Sequence, residues 1–215
     1  MCRLSEYMRC VPAPHRRLTL SPRCRSVTRR AAMTEATTLW DFGGGGEEWR
    51  RMAAAASASD FRQMHDVVMG GVSLGSLTAS TKRTFATFAG TVRLENRGGF
   101  ASVRAPLPAG SDLSGSAGIE LVVRSESGAS EMQLTLKDKE ARETQVAFKG
   151  LVPLTPGFET VRVRWADLRP EFRGRAIERD ALKLTEVCEL GLLVKAPAVV
   201  GDFAIDVERI SAFRE

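Results

Sequence analysis

Apolar and polar residues alternate along much of the chain after residue 85. Ile119, Leu121 and Val123, for example, alternate with Glu120 and Arg124. The same period of two recurs in Phe88–Leu94, Met132–Lys137, Val146–Phe148, Val161–Trp165, Leu190–Val194 and Phe203–Glu208. This spacing predicts about nine strands, joined by turns rich in Gly, Pro, Ser and Asp. Because no helical segments separate them, we expect antiparallel pairing with one buried face and one solvated face.

Two sheets of this kind must bury their apolar faces against each other. The pattern therefore predicts an all-β fold, an antiparallel jelly-roll β-sandwich. Before the alternating region, Leu39–Phe42 is a predicted first strand and Gly43–Gly46 a turn. One short N-terminal helix is expected at Glu47–Ser57, because two acids begin it and alanine dominates it.

Residues 1–33 differ in composition from everything that follows. They contain eight Arg, no Lys and a single acid, Glu6. This composition is typical of an organelle transit peptide; the alternative is a translated upstream sequence with Met33 as the true start. We expect a mitochondrial location, with the chloroplast as the alternative because Pro12, Pro14 and Pro22 interrupt any continuous helix. The folded domain is predicted at 39–213.

The charge is divided unevenly between these two parts. The whole chain has a net charge of +5, but 23 basic and 25 acidic residues remain after residue 33. A near-neutral domain argues against a nucleic-acid partner. Five arginines near Trp165 and Phe172 are therefore interpreted as a solvated cluster: Arg162, Arg164, Arg169, Arg173 and Arg175. No apolar run approaches the roughly 18 residues of a membrane-spanning helix.

Residue types that carry catalysis are scarce after residue 33. His65 is the single histidine there, and its neighbour Asp66 should point the opposite way in an extended chain. Cys188 is interpreted as a structural cysteine, and the loop Met69–Gly75 lacks the lysine of a phosphate-binding loop. Six acids are expected on solvated faces or in turns: Glu120, Glu126, Asp138, Asp167, Glu171 and Asp206. We therefore predict no enzyme, no cofactor and no metal site.

Five segments resemble, in the same order, the sequence blocks of the complex I intermediate-associated protein 30 family. They are Asp66–Gly75 (DVVMGGVSLG), Phe88–Arg104 (FAGTVRLENRGGFASVR), Asp112–Leu121 (DLSGSAGIEL), Asp167–Gly174 (DLRPEFRG) and Gly201–Ile210. The resemblance implies a galactose-binding-like jelly roll. It also implies a chaperone role in assembling the respiratory NADH:ubiquinone oxidoreductase. The M-G-G-x-S loop looks more like the bacterial and plastid-lineage branch than the animal assembly factor.

The best-matching blocks fall in predicted loops, which on a rigid scaffold often carry binding. Candidate binding residues along one rim of the sandwich are Asp66, Gly70, Gly71, Ser73, Asn96, Gly98, Gly99, Arg104 and Arg173. The competing interpretation is that Asp66, Asn96 and the glycines only build corners.

Three functions stay open from the sequence. The first is an assembly module for protein subunits of an organelle membrane complex, with or without peripheral membrane association. The second is a carbohydrate-binding module; sugar rings usually pack on exposed aromatics, whereas Trp40, Trp49 and Trp165 fall in core-facing predicted elements. The third, an enzyme acting on a nucleotide or sugar, lacks a candidate base and nucleophile.

Overall fold

A computed structural model describes residues 36–43, 60–64, 66, 70–79 and 83–215. The strands in these ranges are β1 (Thr37–Asp41), β2 (Arg62–Gln63), β3 (Leu74–Ala79), β4 (Ala86–Val92), β5 (Phe100–Pro106), β6 (Gly118–Ser127), β7 (Glu131–Asp138), β8 (Val146–Pro153), β9 (Glu159–Arg164), β10 (Arg169–Phe172), β11 (Arg175–Ala176), β12 (Val187–Lys195) and β13 (Gly201–Phe213). One short α-helix, α1 (Lys139–Thr144), connects β7 to β8. The predicted helix Glu47–Ser57, His65 and residues 1–33 lie outside the described residues.

The strands form two antiparallel sheets. The six-stranded sheet has the order β3-β4-β13-β6-β9, and β1 also pairs with β13. The seven-stranded sheet has the order β11-β10-β8-β7-β12-β5-β2. Strands that pair within a sheet are mostly distant in sequence, as β5, β12 and β7 are. The chain therefore crosses repeatedly from one sheet to the other. This arrangement confirms the predicted all-β sandwich. Within the described ranges, no helix has the length and apolar character needed to span a bilayer.

The core lies between the two sheets and is built by the alternation seen in the sequence. Leu121 on β6 and Leu134 and Leu136 on β7 have no exposed surface. Phe88 and Phe203 meet edge to face, with 5.0 Å between ring centroids. Residues 133, 135 and 137 of β7 point the other way, onto the outer face of the seven-stranded sheet.

Three of the acids expected at the surface are buried, which corrects the sequence prediction. Asp138 and Asp206 are each 1% exposed and Glu120 is 8% exposed. The Arg124 side chain lies 2.8 Å from the Asp206 carboxylate, and Arg162 donates to Glu120 at 2.8 Å. Asp138 accepts from a backbone N–H of α1. Each burial is thus compensated by a partner that the sequence pattern alone does not reveal.

The five arginines predicted as a solvated cluster are all exposed, but they do not belong to one sheet. Arg162 and Arg164 belong to β9 of the six-stranded sheet, whereas Arg169 and Arg175 belong to β10 and β11 of the seven-stranded sheet. Nearness in sequence did not place these cations on one sheet, because the chain changes sheets between β9 and β10.

Candidate functional site

Asp66 joins the two loops that matched the family motifs best. Its carboxylate is 1% exposed and accepts hydrogen bonds from Ser73 N at 3.0 Å, Ser73 Oγ at 2.5 Å and Gly99 N at 2.7 Å. A longer bond from Phe100 N, at 3.4 Å, adds to these. Ser73 Oγ also accepts from Arg93 N at 3.0 Å. These bonds fix the segment 70–73 against the loop 95–100.

The hydrogen bonds also decide the ionisation of Asp66. Burial acts to raise the pKa of the carboxyl, but the bonds donated by Ser73, Gly99 and Phe100 outweigh it, so the pKa lies below its ordinary value. Hydrogen bonds to the charged form favour that form. The carboxylate is therefore ionised at neutral pH and holds the loops as a charge-assisted acceptor.

Gly71 and Gly98 are required by this packing. A Cβ atom at Gly71 would lie 2.8 Å from Asp66 Cβ and closer still to the carboxyl group. A Cβ atom at Gly98 would lie 2.5 Å from Asp66 Oδ2 and 2.9 Å from the carbonyl oxygen of Arg93. Both glycines therefore let the backbone pass directly over the buried carboxylate, where any larger residue would collide with it.

Four of the candidate positions have positive φ angles. Gly70 has φ 88°, Asn96 has φ 56°, Gly99 has φ 131° and Arg173 has φ 49°. Glycine adopts such angles freely, and asparagine more readily than other side chains. Of the nine predicted binding residues, the structure thus brings Asp66, Gly71, Ser73, Gly98 and Gly99 together as a corner. Gly70 and Asn96 shape the adjoining turns.

Arg104 and Arg173 lie in a groove of about 730 Å³ on the outer face of the seven-stranded sheet. The loop 97–100, held by Asp66, forms part of its wall. Six basic side chains line the groove: Arg97, Arg104, Lys137, Lys149, Arg173 and Lys195. Glu171 is the acidic residue among the described lining residues, and Phe100 is the aromatic one. The corner therefore supports one side of a basic groove.

Gly191 leaves room for the side chain of Arg104 at the floor of the groove, which is the outer face of the seven-stranded sheet. Arg104 on β5 is paired with Gly191 on β12, which is paired with Thr135 on β7. A Cβ atom at Gly191 would lie 2.8 Å from Arg104 Cγ and 2.6 Å from Thr135 Oγ1. The side chain of Arg104 therefore lies across β12, towards β7.

The cations at the floor are only partly compensated. Arg104 Nη1 and Lys137 Nζ lie 3.7 Å and 3.8 Å from the same oxygen, Glu189 Oε1, and both distances exceed a hydrogen bond. Arg104 Nε is buried without a hydrogen-bond partner among the described residues. Burial and the neighbouring charge of Arg104 together lower the pKa of Lys137 below its ordinary value. Lys149, by contrast, has a close partner in Glu171 at 2.6 Å.

Sequence reasoning missed Lys137, Lys149, Glu189, Gly191 and Lys195. The alternation of β7 did place Lys137 on the polar face, but a polar face was taken as a solvated one. Lys137 is in fact 4% exposed. The missing signal is the sheet order, which places β5 and β7 on either side of β12.

The fold resembles several solved structures. A family 11 carbohydrate-binding module from Clostridium thermocellum, in complex with a β-1,3-1,4-mixed-linked tetrasaccharide, has a TM-score of 0.59 at 13% identity, and the match covers 84% of this chain and 96% of that one. The family 11 module of the cellulosomal cellulase Lic26A-Cel5E from the same organism has a TM-score of 0.57 at 16% identity, covering 83% and 94%. An agarase, AgWH50C, has a TM-score of 0.51 at 10% identity, covering 82% and 26%. At such identities the similarity shows a shared fold alone.

No curated protein sequence matches the chain significantly. A family model does match, over residues 50–207, which include the Asp66 corner and all six basic residues of the groove. The match covers well over half of the chain, and it agrees with the ordered motifs and with the β-sandwich. The chain therefore belongs to the complex I intermediate-associated protein 30 (CIA30) family.

Proposed function

We propose that the protein is a non-catalytic assembly factor that binds a protein subunit of a respiratory NADH:ubiquinone oxidoreductase, or of a related membrane complex, in the mitochondrion. The observation that carries this proposal is the family match over residues 50–207. The Arg-rich composition of residues 1–33 supports import into an organelle, and the chloroplast is the alternative destination.

Exposed apolar side chains beside the Asp66 corner support a protein partner. Leu94 and Val200 are 55% and 56% exposed and line one shallow depression. Leu74, which is 60% exposed, is paired with Thr91 of the same depression. Large exposed apolar side chains that lie close together are typical of interaction surfaces. This depression offers a partner apolar contacts, and the basic groove offers it charged contacts.

The chemistry of the described residues supports a non-catalytic role. Burial, as the largest influence, raises the pKa of Cys188, which keeps its sulfur as a weakly nucleophilic thiol. Glu171 and Glu189 lie within ion-pair distance of the groove cations Lys149 and Lys137. The Glu171 carboxylate is engaged in holding Lys149 at 2.6 Å, which leaves it poorly placed as a general base.

Carbohydrate binding is the second candidate, because the solved structures of similar fold include carbohydrate-binding modules. Sugar rings commonly pack on exposed aromatic faces. The described lining of the groove offers the half-buried Phe100 as its aromatic side chain, among six cations. We therefore expect a glycan array to show no neutral oligosaccharide bound through this groove.

The proposal is tested by purifying the tagged full-length protein from mitochondria and identifying the proteins that accompany it. We expect enrichment of NADH:ubiquinone oxidoreductase subunits over a tagged matrix protein of similar size. Cells that lack the protein should also accumulate less of the assembled complex on native gels. Accumulation of the tagged protein in another compartment, or a normal level of the complex without it, would contradict the proposal.

A further inference from the structure

We propose that the groove floor formed by Arg104 and Lys137 binds a carboxylate of an extended acidic segment of the partner protein. This inference rests on the proposed function, because it names the chemistry of the partner that the assembly factor recognises. It is carried by three observations: the separation of charge, the unfilled donors at the floor, and the shape and composition of the groove.

Charge is concentrated in the groove far beyond the average of the domain. After residue 33 the chain has 23 basic and 25 acidic residues. The groove lining nevertheless contains six basic side chains and Glu171 as its one acidic side chain among the described residues. A concave surface with one sign of charge concentrates ligands of the opposite sign. The expected ligand is therefore anionic.

The floor cations also have hydrogen-bonding capacity to spare. An arginine side chain has five N–H donors and a lysine three. Arg104 and Lys137 share a single carboxylate oxygen at 3.7 Å and 3.8 Å, and the side chain of Lys137 is only 5% exposed. A buried charge with so little compensation is costly. A ligand carboxylate between the two cations would supply the missing acceptors.

The shape and remaining lining favour a peptide among anionic ligands. The floor cations lie in a concave groove with side chains only 20% and 5% exposed, which a flat membrane surface would not reach. Nucleic acid bases would require aromatic stacking partners, and Phe100 is the aromatic side chain of the described lining. Met64, Ala147 and Leu193 add apolar surface between the cations. Alternating acidic and apolar side chains of an extended peptide would match this mixture.

Some cations of the groove are buried at its floor and others are exposed at its edge, which suits the binding of such a peptide. Arg104 and Lys137 lie at the floor with side chains 20% and 5% exposed. Arg97 and Arg173 are exposed where they line the groove. The exposed cations would attract the acidic segment over a Debye length of about 8 Å at physiological ionic strength. The floor pair would then fix one carboxylate by direct hydrogen bonds.

The test measures binding of a fluorescent peptide in which Glu alternates with Ala, using the purified full chain. The matched probe has Gln in place of every Glu. We expect the acidic peptide to bind, the Gln peptide to bind far more weakly, and the affinity to fall with added salt. Arg104→Gln should weaken binding at least about tenfold, the usual loss for a hydrogen-bonded charge. Lys137→Met, which keeps the apolar bulk, should weaken it similarly.

Two further variants separate recognition from folding. Arg164→Gln makes the same chemical change on β9 of the other sheet, where the side chain is 64% exposed, and should leave binding unchanged. Glu189→Gln removes the carboxylate that competes for Arg104 and Lys137 and should tighten binding several-fold. A merely structural role for Glu189 predicts the opposite. Thermal unfolding of each variant identifies any loss that is due to misfolding.

Several outcomes would overturn the inference. They are equal binding of the Gln peptide, equal effects of Arg104→Gln and Arg164→Gln, and weaker binding by Glu189→Gln. Stronger, Arg104-dependent binding of polygalacturonate or of phosphatidylserine vesicles would assign the groove to an acidic glycan or a lipid surface instead. If subunits co-purify equally well with Arg104→Gln, the proposed function stands without this inference. If the peptide binds but no subunit co-purifies, the inference stands without the proposed function.

Discussion

Asp66 shows how one buried side chain can account for several motif residues at once. Ser73 and Gly99 donate to its carboxylate, and Gly71 and Gly98 leave the space that it fills. Four positions that appear to be separate candidates for binding are therefore parts of one corner. Arg104 differs from them, because its side chain lines the groove instead of holding a loop.

Replacing Asp66 with Asn should destabilise the protein by about 2 kcal/mol or more. Both carboxylate oxygens accept from backbone N–H groups, Ser73 N on Oδ1 and Gly99 N on Oδ2. The amide group of Asn must therefore face one N–H donor, whichever way it is turned. Urea unfolding at neutral pH measures the loss.

Asp202→Asn is the matched control. Asp202 is exposed and accepts from the Thr91 hydroxyl at 2.5 Å, and that hydroxyl can rotate to suit an amide. The change should stay within about 0.5 kcal/mol, as for most surface substitutions. Equal losses for Asp66→Asn and Asp202→Asn would contradict the role assigned to Asp66.

At acidic pH the wild-type protein should lose its greater stability over Asp66→Asn. The pKa of Asp66 is lower in the folded state than its ordinary value of 3.8, so its stabilisation is fully present above that value. The stabilisation is lost as the pH falls through the lower, folded-state pKa. The difference in unfolding free energy between wild type and Asp66→Asn should therefore narrow below about pH 4. A difference that stays constant throughout the acidic range would show that ionised Asp66 adds nothing.

At the scale of elements, the sequence predicted which segments are strands far better than it predicted which strands pair with each other. The alternation in β6, β7 and β13 reports directly which side chains face the core, because successive side chains point to opposite faces. It carries no information about which strands pair. Lys137 and Arg104 are 33 positions apart and meet because β5 and β7 both pair with β12. The corner was thus partly visible in the motifs, whereas the groove depended on tertiary pairing.

The place of β12 in the groove can be tested at Gly191. Gly191→Ala should displace Arg104 from the floor, since the new methyl group would lie 2.8 Å from Arg104 Cγ and 2.8 Å from the carbonyl oxygen of Val103. We expect a loss of about 1 to 3 kcal/mol in unfolding free energy, as for other overpacked sites. Binding of the acidic peptide should weaken as well, and fluorescence titration measures this.

Gly157→Ala is the control for this substitution. Gly157 lies between β8 and β9, and a Cβ atom there would have no heavy atom within 4 Å. Its replacement should change neither stability nor binding. Unaltered binding by Gly191→Ala, in a protein that is measurably destabilised, would show that Arg104 does not depend on the space above β12.

At the scale of the whole molecule, the sandwich carries a strongly basic surface on a domain with almost no net charge. A charge pattern of this kind affects how partners approach and in what orientation they bind, more than it affects the fold. The two sheets form a rigid support, and the Asp66 corner fixes one wall of the groove. The proposal that a partner protein lies in the groove rests on membership of the CIA30 family and on the basic lining of the groove.

Photo-crosslinking from inside the groove tests whether a partner protein lies there. A photoreactive amino acid replaces Met64, which lines the groove, or Thr160 on β9 of the other sheet, and neither change alters a charge. In mitochondrial extract, position 64 should form an adduct with an identified NADH:ubiquinone oxidoreductase subunit, and excess acidic peptide should abolish it. Position 160 should give no such adduct. Adducts from position 160 alone, or adducts at position 64 that persist with excess peptide and with Arg104→Gln, would contradict the account.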